Sequence, residues 1–561
     1  RWRSRAPSRC LDSARSFSED SGVSRRAKAA APAPPLDWPV AALVALLAAG
    51  AFLPALANGF VSWDDDRNFL ANPHWRGLGP AELGWMLTTP HLGLWVPLTW
   101  ATLGLDHLLW GLNPAGYHAT SLALHAAAAG VVYLLALHLL ATALGAGARE
   151  PAVRLGAAVA ALAFAVHPLR VESVAWVTER RDVLSGLLYA ATLLLYLRAL
   201  DATGDRRRRL RRATLGAAAL ALAAKPMAVS LPAVMLILDA YPLGRLARGR
   251  AAWPLVREKL ALVLLSAAGS AIAFWAMAAS GRLSGPSQLG ALDRAAISLH
   301  ALAFYLEKTL LPVGLAPLYE LPFRLAPLAP RYLASAAVVA ALTALAVLLR
   351  RRVPALAAAG IAYVVILLPV VGVAHQGPQL AADRYTYLAC LPWALLAGGG
   401  LARAWRRLGA PHAARPGALA LAAGAGAVLL TLGALTWRQT GTWRDSETLW
   451  TRALAASPSA IAHAKLGVLR DDAGRPEAAV AHFRAALALH PDLAYAHNNW
   501  GIALARQGKW EEAIAQYRAA LGLAPDSVET HLNLAVALER AGRPAEAAEH
   551  ARAARRLRGA R

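Results

Sequence analysis

Three consecutive carboxylates, Asp64, Asp65 and Asp66, follow a long apolar run in the stretch Gly59-Phe60-Val61-Ser62-Trp63-Asp64-Asp65-Asp66-Arg67-Asn68. Ionisable side chains are expensive to keep at the edge of a membrane span and commonly serve an ion, a proton or a substrate there. Such a carboxylate can act as general base toward a hydroxyl, and a neighbouring carboxylate raises its pKa by like-charge repulsion. Asp64 and Asp65 could equally hold a divalent cation through oxygen ligands, the one cofactor these residues suggest. A water-exposed acidic turn is the plainer alternative, and all three readings stay open at this level.

A second polar cluster, His167 to Asp182, closes another apolar run and contains Arg170, Glu172, Glu179, Arg180 and Arg181. Guanidinium groups suit a phosphate leaving group, because their planar donors match its oxygens and offset developing charge. In that reading His167, Glu172, Asp182 and Asp383 support the site; the competing reading is an interfacial salt-bridge network that orients two spans. Lys225 stands in an apolar hairpin before Pro226, where it either reaches the same phosphate or snorkels to the membrane surface. His375 and Asp383-Arg384-Tyr385 precede a further span and are read as closing the pocket.

These groups need a scaffold that brings them to one face of a membrane. The 561-residue chain is 57% hydrophobic with a formal net charge of +24. Many apolar runs of about twenty residues indicate a polytopic membrane protein. The positive excess sits in short arginine clusters between the runs, at 206–212, 245–250, 350–352 and 403–407. Loops of this kind stay cytoplasmic, which explains the charge without a nucleic-acid partner. Cys10 and Cys390 offer neither a disulfide framework nor a thiolate metal site.

Residues 1–35 read as a disordered basic cytoplasmic tail. The chain starts on Arg1 rather than Met, consistent with a fragment or a displaced start, and the apolar run behind the tail reads as a retained span without a cleavage site. Eleven spans are expected within 36–440: near 38–57, 117–140, 153–166, 184–200, 215–224, 227–238, 260–278, 333–349, 356–373, 387–401 and 419–435. Residues 293–331 are read as interfacial or re-entrant, because a full crossing would put Arg350 to Arg352 on the outer side. Trp75, Trp85, Trp95, Trp100 and Trp110 mark an outer loop at headgroup level. This topology places Asp64, His167, Lys225, His375 and Asp383 together on the extracytoplasmic face of a multi-pass inner membrane.

After a linker, 441–459, the character changes. Gly467, Gly501 and Ala535 recur at 34 residues, as do Gly474, Gly508 and Gly542, with Phe483 and Tyr517 at one aromatic position and Pro491 and Pro525 closing repeats. Three tetratricopeptide-like repeats are expected over 460–561, on the outer side of the membrane. Lys465, Asn499 and Asn533 share one repeat position and could bind an acceptor polypeptide; contacts between repeats are the alternative use.

The ordered series Phe60-Val61-Ser62-Trp63-Asp64-Asp65, Trp95-Val96-Pro97-Leu98-Thr99-Trp100, Tyr117-His118, His167-Pro168-Leu169-Arg170-Val171-Glu172-Ser173-Val174-Ala175-Trp176, Lys225-Pro226-Met227, Leu231-Pro232 and Asp383-Arg384-Tyr385 resembles the transmembrane and tetratricopeptide-repeat protein O-mannosyltransferases. The resemblance implies an all-α GT-C-type transmembrane bundle followed by an α-solenoid. It further implies a polyprenyl-phosphate-linked sugar as donor, Ser or Thr hydroxyls of extracytoplasmic proteins as acceptors, and catalytic acids at Asp64 and Asp65. Arg170, Arg180, Arg181, Lys225 and Arg384 are the candidates for the donor phosphate. The rival expectation is a membrane scaffold that recruits envelope proteins through its repeats.

Overall fold

The computed structural model describes residues 36–246, 252–280, 289–371, 377–408 and 416–559. The basic tail and His375 lie outside them. Apart from a two-stranded antiparallel ribbon, Tyr319–Glu320 with Gln379–Ala381, the described residues form helices and their connections.

Among the described residues, five helices have the length and apolarity to cross a membrane: Pro114–Leu144, Val177–Asp201, Leu260–Ala279, Pro330–Leu349 and Pro416–Trp443. Two more arise if each bent pair counts as one span, Pro151–Ala165 with Pro168–Ala175 and Asp383–Ala389 with Leu391–Leu408, both bent by 52°. Seven, not eleven, is thus the upper count by this measure. The expected spans near 38–57, 227–238 and 356–373 are shorter apolar helices, Trp38–Ala51, Pro226–Ala240 and Pro354–Leu367. The one near 215–224 is the end of Gly204–Ala224, whose first half is arginine-rich.

Proline fixes many helix starts, since a helix's first N–H groups have no internal partner and the ring presets φ. Pro97, Pro114, Pro151, Pro330, Pro354 and Pro476 each stand in the first turn. At Pro168 the same ring interrupts the ladder and bends the chain toward the site. The two bent pairs cross where Gly156 meets Gly398: a Cβ on Gly156 would lie 2.5 Å from the Gly398 carbonyl oxygen. Only glycine permits that approach, the usual device of packed membrane helices. It brings the turn after Ala165 beside the turn at Asp383–Tyr385.

The repeats form three antiparallel helix pairs, Ala460–Asp472 with Pro476–Leu489, Ala494–Arg506 with Trp510–Leu523, and Val528–Arg540 with Pro544–Gly559. A Cβ on Gly467 would fall 2.6 Å from the Phe483 ring, and one on Gly501 2.5 Å from that of Tyr517, so each small residue makes room for the aromatic of its own repeat. The linker helix Ser446–Ala456 packs Leu449, Trp450 and Ala453 as a preceding half-repeat.

One polar pair recurs with the repeat. His463 faces His482 at 3.1 Å, His531 faces His550 at 2.9 Å, and the middle repeat has His497 with Gln516 at 2.8 Å. Burial holds His463, His482 and His550 below the ordinary imidazole value, and the facing rings lower His482 and His550 further. These groups bind protons less readily folded than unfolded. Their stabilisation is complete above about pH 6.5 and is lost as pH falls through the folded values. Amide protection factors across 460–559, taken relative to the base-catalysed intrinsic rate, should therefore fall between about pH 7.5 and about pH 5. His482→Gln with His550→Gln, which copies the middle repeat, should flatten that dependence; an unchanged pH response would show that these pairs do not set it.

Candidate active site

The three aspartates have different surroundings. Asp65 is fully buried: its Oδ2 accepts the Val61 N–H at 3.0 Å, and its Oδ1 accepts the Thr178 hydroxyl at 2.6 Å and the Thr178 N–H at 3.2 Å. Burial pushes its carboxyl up to about 7, with the Thr178 and Val61 donors pulling the other way. Asp65 thus fastens the acidic loop to the 177–179 turn. Immediately after it the chain forms one π-helical turn, Asp66–Leu70, an irregularity frequent at functional sites.

Asp64 lies on the wall of a cavity of about 480 Å³. Among the described residues its carboxylate has no hydrogen-bond or ion-pair partner. Burial raises its pKa above the ordinary carboxylate value, and the positive charges of Arg181 and Arg384 oppose that rise. Both arginines line the same cavity.

Glu179 holds these arginines in place. It is fully buried and is bonded by Arg181, which donates Nε to Oε2 at 3.0 Å and an Nη to Oε1. Lys225 Nζ lies 3.1 Å from Glu179 Oε2, and Arg384 Nε lies 3.4 Å from Oε1. Arg384 also pairs with Glu172 and donates its backbone N–H to Glu172 Oε2 at 2.8 Å. A buried carboxylate is tolerable only when compensated in this way. Here the compensation turns two guanidinium groups toward the cavity.

The repeats supply the opposite wall: Ile461 and Lys465 of the first helix pair, Leu493 and Tyr495 at the second. Lys465 Nζ sits 5.6 Å above the Tyr495 ring, and burial lowers its pKa. A series of tryptophan contacts fixes this wall to the membrane part: Trp63 edge-to-face against Trp450 at 5.0 Å, Trp63 tilted against Trp176 at 6.3 Å, and Trp176 stacked on Trp443 at 5.2 Å. The Trp450 indole donates to Ser62 Oγ at 3.1 Å, Gly59 N–H to the Arg444 carbonyl at 2.9 Å, and Ser459 Oγ to Glu320 at 2.5 Å.

Asp64, Arg181, Arg384 and Lys465 therefore meet at one cavity, where Arg67 joins them. Other residues expected to face a phosphate do not line it. Arg170 is buried and donates to the Thr386 carbonyl and hydroxyl, both at 2.6 Å. Arg180 is buried against Asp106 at 2.5 Å and donates to the Tyr117 carbonyl at 2.7 Å. Lys225 spends its charge on Glu179 and on Asp182, the latter at 2.5 Å. Arg180 is thus in an ion pair, as the salt-bridge reading has it, Lys225 pairs with two buried acids rather than snorkelling, and Arg170 is satisfied by the Thr386 carbonyl and hydroxyl without an acidic partner. His167 donates Nε2 to the Thr309 carbonyl at 3.0 Å and accepts the Leu169 N–H on Nδ1, and Asp383 accepts the Tyr319 hydroxyl at 3.0 Å. Asn533 donates to Asn498 Oδ1 at 3.1 Å across two repeats, and Asn499 bonds the Tyr495 carbonyl of its own helix at 2.7 Å. Lys465 alone of that repeat position reaches the cavity.

Arg67 and Glu320 were not distinguished by spacing. Arg67 directly follows the aspartates, which was the available signal; Glu320 has none, because its partner lies 139 residues away. Among the described residues no group of three or more His, Cys, Asp or Glu is arranged to hold a metal ion. Asp65's oxygens are occupied by three donors, which leaves Asp64 as the accessible carboxylate of the pair.

A tetratricopeptide-repeat profile matches residues 430–494 and 498–560. The chain is similar to the protein O-mannosyl-transferases Tmtc1 of Drosophila melanogaster (34% identity over 155 residues, 26% of this chain and 17% of the relative) and Tmtc2 of the same species (34% over 201 residues, 34% and 20%). It is also similar to TMTC4 of Mus musculus (32% over 117 residues, 20% and 15%). The resemblance read from the motifs is borne out by these relatives. In each match the chain spans a fifth or less of the relative's length. Among solved structures, MamA (19% identity, 24% of this chain and 75% of that chain, TM-score 0.20) and the APC/C hetero-tetramer Cut9-Hcn1 (14%, 91% and 96%, TM-score 0.23) are similar at scores too low to inform the arrangement of helices.

The different surroundings of the two aspartates predict different defects. Asp65→Ala strands the Val61 and Thr178 donors in the interior and should cost about 3 kcal/mol, seen as a lowered melting temperature in detergent. Asp64→Asn, which breaks no internal bond, should melt as the parent does. Equal melting of both variants would refute this assignment.

Proposed function

We propose that the chain is an integral-membrane glycosyltransferase of GT-C type that transfers a mannose-like sugar from a polyprenyl-phosphate donor to Ser or Thr hydroxyls of extracytoplasmic proteins. The observation that carries this reading is the unpartnered Asp64 carboxylate sharing one cavity with Arg181 and Arg384. The donor's phosphate would sit against these guanidinium groups, whose positions Glu179 and Glu172 fix in advance. Asp64 would take the proton of the acceptor hydroxyl as its oxygen bonds to the anomeric carbon, with inversion. The bond to the phosphate oxygen breaks in the same step, and the arginines stabilise the charge that leaves.

The acceptor would approach along the repeats, because Lys465 and Tyr495 form the side of the cavity opposite the membrane bundle. On the expected topology the cavity and repeats lie outside the cytoplasmic membrane. The names of the relatives support the mannosyl specificity; the polyprenyl carrier rests on the motif resemblance and on the pairing of a cationic cavity with a membrane bundle.

Purified full-length protein given polyprenyl-phosphate mannose and a Ser/Thr peptide should glycosylate the peptide. Asp64→Asn should reduce the rate about 10²- to 10⁴-fold at unchanged expression and melting. Because the base works deprotonated and burial raises its pKa, the rate should climb with pH through a midpoint above the usual Asp value of about 3.9. Arg181→Gln removes a charge that lowers the Asp64 pKa and should move that midpoint upward. Full transfer by Asp64→Asn would overturn the assignment of Asp64 as the base, and absence of transfer by the parent protein would overturn the enzymatic assignment and favour a scaffold that recruits partners through its repeats.

A further inference from the structure

A second cavity, of about 500 Å³, opens at the other end of the bundle and shares no lining residue with the first. Its inner end is at Leu391 and Ile366, close in sequence to the Asp383–Tyr385 turn. Its mouth is formed by Arg352, Arg403 and Arg407. Helix Leu391–Leu408 rises about 18 Å between Leu391 and Arg403, so the slot exceeds one leaflet's half of the ~30 Å hydrocarbon core. Its sides are apolar, with Leu139, Leu193 and Val234 among them. It stays open where side chains are missing: a Cβ on Gly400 would meet nothing within 4 Å.

The arginines at the mouth differ from their neighbour. Arg406 is held by Glu150 at 3.0 Å and by the Leu144 carbonyl at 3.1 Å. Arg352, Arg403 and Arg407 are exposed and have no acidic partner among the described residues. The sequences of 247–251 and 409–415 contain no acid that could supply one. Three cations at one end of an apolar slot of leaflet length suit an amphiphile with an anionic head. A soluble anion would leave the slot unfilled, and a neutral lipid would leave the cations unmatched. Basic pockets between membrane helices recognise anionic head groups in this way.

We propose that this cavity is a binding site for an anionic glycerophospholipid of the leaflet on the arginine-rich face, with one acyl chain along Leu391–Arg403 and the phosphate among Arg352, Arg403 and Arg407. The site is separate from the cavity at Asp64.

Full-length protein extracted in mild detergent from membranes containing phosphatidylglycerol and phosphatidylethanolamine, then analysed by native mass spectrometry, tests this. Phosphatidylglycerol should be enriched on the protein relative to the membrane. Each single Arg→Gln change at 352, 403 or 407 should reduce the enrichment about fivefold. Arg351→Gln, outside the cavity wall, should leave it unchanged. Gly400→Leu should displace the lipid by filling the slot while the arginines remain. Absence of enrichment on the parent protein would overturn the proposal, as would enrichment that survives both the triple arginine variant and Gly400→Leu. Retention solely of a polyprenyl phosphate, lost in Arg384→Gln but not in Arg403→Gln, would also overturn it by assigning the lipid to the Asp64 cavity.

Discussion

The structure depends most on the burial of Glu179. A fully buried carboxylate loses several kcal/mol of hydration, and its removal or isolation is among the costliest changes a core can suffer. Its compensation joins three segments: its own, through Arg181 two residues on, the hinge before Pro226, through Lys225, and the first turn of the last bent pair, through Arg384. None of these segments can leave without exposing a charge to a low-dielectric interior. The ion cluster therefore sets where three parts of the bundle meet, and the cavity lies beside that junction, lined by Arg181 and Arg384.

The tryptophan contacts perform a second task that charge alone does not. Trp63, Trp176, Trp443 and Trp450 come from the acidic loop, the arginine cluster and the linker, and ring contacts of this type add about 0.5–1.5 kcal/mol each beyond the area they bury. Their order places the linker directly against the residues flanking Asp64. The repeats thus begin as part of the site's wall and extend away from it, and Lys465 reaches the cavity because it lies in the first repeat helix. Asn499 and Asn533, at the same repeat position further along, satisfy their amides within the solenoid instead.

Much of this was legible in the sequence, for identifiable reasons. The 34-residue period exposed the repeats, because Gly467 against Phe483 and Gly501 against Tyr517 are local packing rules that every copy must obey. The acidic stretch and the arginine clusters stood out because charge is rare beside apolar runs. Hydropathy was less informative about the span count, since a helix as short as Pro354–Leu367 can be enclosed by neighbours and need not carry a full crossing's worth of apolar residues. The cations were misallocated because spacing gives no partner. Arg180 and Arg181 are adjacent, yet the first turns inward to Asp106 and the second outward to the cavity. Distinguishing them requires knowing that Asp106, 74 positions earlier, lies beneath the helix start.

The same geometry explains why consecutive acids at 64 and 65 have unequal chemistry. Successive residues in a helical turn project about 100° apart. If one points into the core, the next faces along the surface. Asp65, on the inner side, meets the Val61 and Thr178 donors and trades reactivity for anchorage. Asp64, held by that anchor but given no protein donor of its own, faces the cavity, and its burial raises the carboxylate's basicity. Two adjacent acids divide these demands, since one side chain cannot both fasten the loop through its oxygens and present them free to the cavity.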